Sequence, residues 1–228
     1  MKVLLIIPAY NEEKNIERVV DHLIDCFPQY DYLVVNDGSK DNTEAICEKR
    51  GYHLLSLPVN LGLAGAFQAG LKYADRQGYD YALQFDADGQ HLPECIAPML
   101  EEAQKGYDIV VGSRFVTKKK PFTLRMVGSY LISFAMRLTT GKRVKDPTSG
   151  MRMFGKRLIH ELAVNINYGP EPDTLAYLIR KGAKVSEVQV EMAERIAGES
   201  YLNITKSMAY MFRMGMSILF VQWFRKKD

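Results

Sequence analysis

The chain has 228 residues, 47% hydrophobic and 25% charged. That suits one α/β domain with a sizeable core and excludes a disordered or fibrous chain. A net charge of +3 selects no class of partner, and Cys26, Cys47 and Cys95 lack CxxC spacing. They read as small buried residues in a reducing compartment, not as a zinc site or disulfide framework.

The opening KVLLIIPAY has too short an apolar core for a signal peptide, and no small-residue cleavage site follows. It predicts a strand covered on both faces. A helix is expected over NEEKNIERVVDHLIDCF, where Ile16, Val19, Val20, Leu23, Ile24 and Phe27 recur at helical spacing. Asn11 is its expected N-cap. DYLVVND predicts a second strand, SKDNTEAICEKRG a helix stopped by Gly51, and HLLSLP a short third strand. GLAGAFQAGLKYADRQG predicts a helix rich in small residues, and YDYALQFDAD a fourth strand. This βαβαβαβ alternation implies a Rossmann-like, mostly parallel sheet flanked by helices, with ligands at the carboxyl ends of the strands.

LPECIAPMLEEAQKG reads as a helix and YDIVVGSRF as a fifth strand. From Arg114 to Lys145 there are then nine Lys or Arg residues and no Asp or Glu. Inside this window LRMVGSYLISFAMRL is amphipathic at helical spacing. Asp146-Pro147 signals a turn, a helix starts at Pro172, and AKVSEVQVEMAER alternates as a strand. A long basic-ended helix closes the chain. Its apolar stretch, 214–224, is well short of the ~20 residues of a membrane span. The expected organisation is one α/β domain, 1–202, and a C-terminal amphipathic helix, 203–228, docking on a membrane surface or a partner.

Asp86 and Asp88 emerge two apart from the fourth strand. Two carboxylates on one extended segment suit a hard divalent cation that neutralises a diphosphate, with an exposed turn or helix cap as the alternative. His91 is a candidate third ligand or a donor to phosphate, with a plain packing histidine as the alternative. Asp37 is placed to accept from the imide N–H of a uracil-like base, or simply to build an Asp-Gly-Ser turn. Gln90 reads as a local hydrogen-bonding residue. The segment NLGLAGA, with Asn60 and Gly65, is neither GxGxxG nor a P-loop, so close helix packing is its simplest role.

PAYNEE, VVNDGS, NLGLAGA, FDADGQH and DPTSGMR follow in this order. The set resembles the inverting family 2 glycosyltransferases of GT-A fold, closest to the dolichyl-phosphate mannose synthase and bacterial polyprenyl-phosphate glycosyltransferase subgroup. The resemblance implies that Pro8, Ala9, Tyr10, Glu12, Asn60 and Gly65 line the nucleotide pocket and that Asp37 contacts the base. It gives the diphosphate and the metal, Mg²⁺ or Mn²⁺, to Asp86 and Asp88. Gln90, Arg114, Asp146, Ser149 and Arg152 shape the sugar and acceptor sites, and Arg195 and Ser200 close over the phosphates. Glu171 and Asp173 are the general-base candidates. They are split by Pro172 where many chain-extending members carry Glu-Asp, and no Gln-x-x-Arg-Trp occurs. Processive synthesis is therefore disfavoured.

The expected reaction is metal-dependent inverting transfer of a hexose or N-acetylhexosamine, glucose or N-acetylglucosamine first, from a UDP-sugar to undecaprenyl phosphate for cell-envelope glycans. The alternatives are transfer to a hydroxyl of a lipid-linked or polysaccharide acceptor, and a non-catalytic sugar-nucleotide scaffold. The two basic amphipathic segments suggest a peripheral seat on the cytoplasmic face of the membrane. A small integral membrane partner or a homo-oligomer fits the last helix. Nucleic acid is not expected, because the basic stripe is as apolar as it is charged.

Overall fold

The computed structural model describes residues 1–121, 123–165, 169–193 and 204–221. Seven strands form one sheet: β1 (Val3–Ala9), β2 (Asp31–Asn36), β3 (Leu54–Ser56), β4 (Tyr81–Gln84), β5 (Ile109–Ser113), β6 (Arg152–Gly155) and β7 (Val185–Gln189). Their spatial order is β3-β2-β1-β4-β6-β5-β7. β6 is antiparallel to β4 and β5, and every other pairing is parallel.

The alternation of β1 divides the core. Leu4 and Ile6 point to one face, while Val3, Leu5, Ile7 and Ala9 point to the other. On the second face lie α1 (Ile16–Cys26), α2 (Thr43–Arg50) and α4 (Ile96–Gln104), the last entered through a 3₁₀ turn, Pro93–Cys95. The first face carries α3 (Gly62–Arg76), α5 (Leu124–Thr140), α6 (Lys156–Val164), α7 (Pro172–Arg180) and α8 (Ile204–Met216). α3 packs so close to β1 that a Cβ at Gly70 would collide with Ile6. This fits the packing role read for the small-residue segment.

Three expectations change. Asn11 does not cap α1, which starts at Ile16 behind Asn15. It sits instead in the left-handed region at φ 57°, where a short polar side chain is tolerated. There its Oδ1 accepts from Lys40 N at 2.8 Å, tying the β1 loop to the β2 loop. Second, β6 and α6 occupy a segment that showed only a turn signal. A four-residue strand carries no readable alternation, and its place between β4 and β5 is set by partners far away in the chain. Third, of the cysteines Cys47 is buried, Cys95 is half-buried and Cys26 is exposed.

The final helix packs on the domain. Met214 and Ile218 are buried in its core, and α8 ends in a π-helical turn, Ser217–Val221. Gly128 of α5 lies against Met211. Outward, α5 exposes Tyr130, Leu131, Phe134 (67%) and Leu138; α8 and its π turn expose Phe212 (73%), Met216 and Phe220. Among the described residues no helix is long and apolar enough to cross a membrane.

Candidate active site

The carboxyl ends of β1, β2, β4 and β5 and the start of the antiparallel β6 share one edge of the sheet. This places Pro8, Ala9 and Tyr10, Asp37, Asp86 and Asp88, Arg114, and the 146–152 loop along a single rim, where open α/β sheets take ligands.

The loops after β1 and β2 are cross-braced. Glu12 N donates to Thr43 Oγ1 at 2.8 Å, Asn15 Nδ2 donates to Glu12 Oε2 at 2.8 Å, and Asp37 N donates to Ala9 O at 2.8 Å. Asp37 is buried, and its Oδ1 accepts from Leu61 N at 2.7 Å. It therefore holds the loop that opens α3. The next residue, Gly38, has φ +64°, and a Cβ there would stand 2.8 Å from the Val59–Asn60 backbone. Glycine is required on both counts. Asn60 Oδ1 accepts from Gly62 N at 3.1 Å, and a side chain at Gly65 would collide with Leu61. Both residues shape this loop.

At the end of β4, Asp88 is buried and its Oδ1 accepts from Gln90 N at 3.0 Å. Gln90 O in turn accepts from Ala193 N at 3.0 Å, so the turn is fastened to the segment after β7. Asp86 Oδ1 accepts from Gln84 Nε2 at 3.1 Å. His91 Nδ1 accepts from Asp86 N at 2.9 Å, and its Nε2 stands 3.3 Å from Asp86 Oδ2. With the Nδ1 lone pair used, the neutral ring carries its proton on Nε2. In this arrangement the ring is turned onto Asp86. Among the described residues no trio of His, Cys, Asp or Glu is gathered to hold a metal. The two aspartates fit an ion that takes one or two carboxylates and completes its shell with substrate phosphate and water, as Mg²⁺ does.

Arg114 and Asp146 pair with each other. Arg114 Nε and Nη2 reach the carboxylate at 2.7 and 2.9 Å, and Arg114 N adds a third bond at 3.1 Å. Burial pushes the Asp146 carboxyl up, but the Arg114 hydrogen bonds and charge outweigh it and hold it below its ordinary range. Ser149 Oγ donates to Gly112 O at 2.5 Å. Arg152 is 2% exposed and donates to three backbone carbonyls: Pro147 at 2.8 Å, and Ser149 and Glu171 at 3.0 Å each. These residues, expected at the sugar and acceptor sites, make up the scaffold of the rim in this structure.

Glu171 precedes α7. Burial pushes its carboxyl up, against a hydrogen bond from Tyr210 and attraction to Arg213 and Arg152. Its Oε2 is buried without a hydrogen-bond partner. Asp173 Oδ1 accepts from Thr174 N, and its Oδ2 accepts from Ser217 Oγ, both at 2.8 Å. Asp173 therefore seats the π turn of α8. Arg195 and Ser200 lie outside the described residues. Sequence reading missed Gln84, Tyr210 and Ser217. Gln84 alone carried a signal, being a polar residue inside an apolar strand.

A family model described as glycosyl transferase family 2 matches residues 4–163. The undecaprenyl-phosphate mannosyltransferase of Micrococcus luteus is 33% identical over 216 residues, covering 89% of this chain and 88% of that protein. The UDP-N-acetylglucosamine–dolichyl-phosphate N-acetylglucosaminyltransferase of Methanococcus voltae is 37% identical over 184 residues, covering 71% and 72%. Among solved structures, glucosyl-3-phosphoglycerate synthase from Mycobacterium tuberculosis, in complex with Mn²⁺ and UDP-glucose, superposes with a TM-score of 0.72 at 19% identity. That match covers 96% of this chain and 78% of the other. The sheet is thus that of GT-A glycosyltransferases, and the chain belongs to glycosyltransferase family 2, whose members are sugar-transferring enzymes.

Proposed function

We propose that this enzyme transfers a hexose or N-acetylhexosamine, with inversion, from a nucleotide diphosphate sugar to a polyprenyl phosphate at a membrane surface. The observation that carries the reading is the Asp86–Asp88 pair at the carboxyl end of β4, with the Asp86 carboxylate held by the neutral Gln84 amide, which leaves its charge unspent. The names of the relatives support the acceptor and widen the sugar. Mannose joins N-acetylglucosamine, and a Proteus mirabilis relative is named for 4-deoxy-4-formamido-L-arabinose.

An oxygen of the lipid phosphate attacks the anomeric carbon, and the bond to the diphosphate breaks on the opposite face. A divalent ion, Mg²⁺ or Mn²⁺, held by Asp86 and Asp88 would neutralise the leaving diphosphate. A phosphate acceptor is anionic near neutral pH, so no general base is required. Arg195 and Ser200 remain the proposed groups over the phosphates. The exposed apolar faces of α5 and α8, beside exposed Arg137, Lys142, Arg143 and Arg213, suit an anionic lipid surface.

A second reading, transfer to a hydroxyl, is favoured by one observation: Glu171 has a raised carboxyl with a free oxygen, as a general base needs. One experiment separates the two. Radiolabelled UDP-glucose, UDP-N-acetylglucosamine and GDP-mannose are each incubated with the enzyme and undecaprenyl phosphate. An organic-soluble, mild-acid-labile product that vanishes in Asp88→Asn and persists in Glu171→Gln is the expected result. Loss of product in Glu171→Gln would favour the hydroxyl acceptor.

A further inference from the structure

The rim carries two acidic residues with opposite treatment. Asp146 is fully buried and paired with a cation, so its charge is consumed within the protein. Asp86 is approached by two side chains that carry no charge in this arrangement, the amide of Gln84 and the imidazole of His91. The Gln84 amide is a neutral donor that orients the carboxylate and stabilises its ionised form without cancelling its charge, while His91 accepts from the Asp86 backbone N–H and sets its Nε2 3.3 Å from Oδ2. The first arrangement builds structure; the second keeps a ligand ready for a cation.

Gln84 makes the case sharper. It is 1% exposed on β4, between Leu83 and Phe85. Its Oε1 is buried with no hydrogen-bond partner. An apolar residue would fit that strand without leaving an orphaned oxygen. What the amide contributes there is its N–H to Asp86. Turning the amide over would set oxygen against carboxylate, so the hydrogen bond fixes its orientation.

His91 is fixed as tightly. Its ring stands edge-on to Phe85 at 5.7 Å, and its backbone bridges Met192. Gly150 completes the surround: a Cβ there would lie 3.3 Å from Asp86 Oδ2, so the loop after Asp146 approaches this carboxylate without a side chain.

We infer that Gln84 and His91 are positioning residues that clamp the Asp86 carboxylate toward a divalent cation, His91 acting through Asp86 and not as a ligand. The inference rests on the metal-dependent reading above. Partners that orient metal ligands in this way typically change affinity about 10–100-fold when removed.

The test is a Mn²⁺ titration of the full chain, with UDP present, followed by electron paramagnetic resonance. Gln84→Leu removes one donor at similar size, His91→Phe removes both ring nitrogens, and His91→Gln restores a donor amide. The expected result is Mn²⁺ binding weakened about 10–100-fold in Gln84→Leu and His91→Phe and largely restored in His91→Gln. Pulsed spectra of the wild type should lack the nitrogen modulation of a bound imidazole. Such modulation, lost in His91→Gln, would make His91 a ligand and overturn the inference. Unchanged affinity in Gln84→Leu would overturn it as well, and that variant serves if His91→Phe does not fold. A wild type that binds no Mn²⁺, with or without UDP, sinks the metal-dependent reading and the clamp with it. Normal wild-type binding with indifferent variants sinks the clamp alone.

Discussion

Arg152 is the most consequential single side chain outside the aspartate pair. It is 2% exposed, and its guanidinium spends three N–H groups on the carbonyls of Pro147, Ser149 and Glu171. It thereby joins the loop beside Asp86 to the start of α7. Replacement by Met keeps the bulk and removes every one of those bonds. Hydrogen bonds to a charged group contribute about 1.5–3 kcal/mol each. Relief from burying a cation offsets part of the loss, so a net cost of about 3–5 kcal/mol is expected, as for other broken buried ionic arrangements. In a domain of this size each kcal/mol lowers the melting midpoint by about 2–4 °C. A drop of about 6–20 °C should therefore appear in thermal unfolding followed by circular dichroism. Arg152→Lys should recover only a fraction, because one ammonium cannot reach three carbonyls in a fixed fork. A melting midpoint for Arg152→Met within about 2 °C of the wild type, under a cost of 1 kcal/mol, would refute the reasoning.

The carboxyls give predictions with opposite signs. Arg114 holds the Asp146 carboxyl below its ordinary range despite burial, so its contribution is complete above the unfolded-state pKa and is lost as pH falls through the lower folded value. Urea midpoints should fall on acidification more steeply in the wild type than in Asp146→Asn; equal slopes contradict this. Burial raises Glu171, so its ionised form is the costly one, and its effect on stability declines as pH rises from the unfolded to the folded value. Glu171→Gln should melt higher than the wild type at neutral pH and equal to it in acid; a lower neutral midpoint would count against a strained carboxylate. Ser217→Ala loses the bond to Asp173, at about 1 kcal/mol. Amide exchange in α8 should speed up while α1 is unaffected, and identical exchange would mean the π turn is held otherwise. Leu131→Ser with Phe134→Ser should reduce flotation with anionic vesicles without changing UDP binding; unchanged flotation would remove the lipid surface from the reading.

Much of this molecule was legible before its fold was known. Alternating apolar strands and periodic helices across the first half have one physical solution, a parallel sheet covered on both faces, and that solution brings strand ends to one rim. DxD was readable because two carboxylates directly after a buried run need a cation or donors. Gly51 closes α2 in the left-handed conformation expected of it.

What the sequence could not determine is who partners whom. Residues that look alike in the sequence, Asp86 and Asp146, receive a neutral amide in one case and an arginine in the other. His91 follows the aspartates like a third ligand, yet its ring is turned back onto Asp86. The short antiparallel β6 and the seating of α8 through Ser217 and Asp173 likewise depend on groups far apart in the chain. Local pattern reflects burial and backbone preference, which act over a few residues. The charge state and orientation of a side chain depend on what packs against it, and only the tertiary structure decided that.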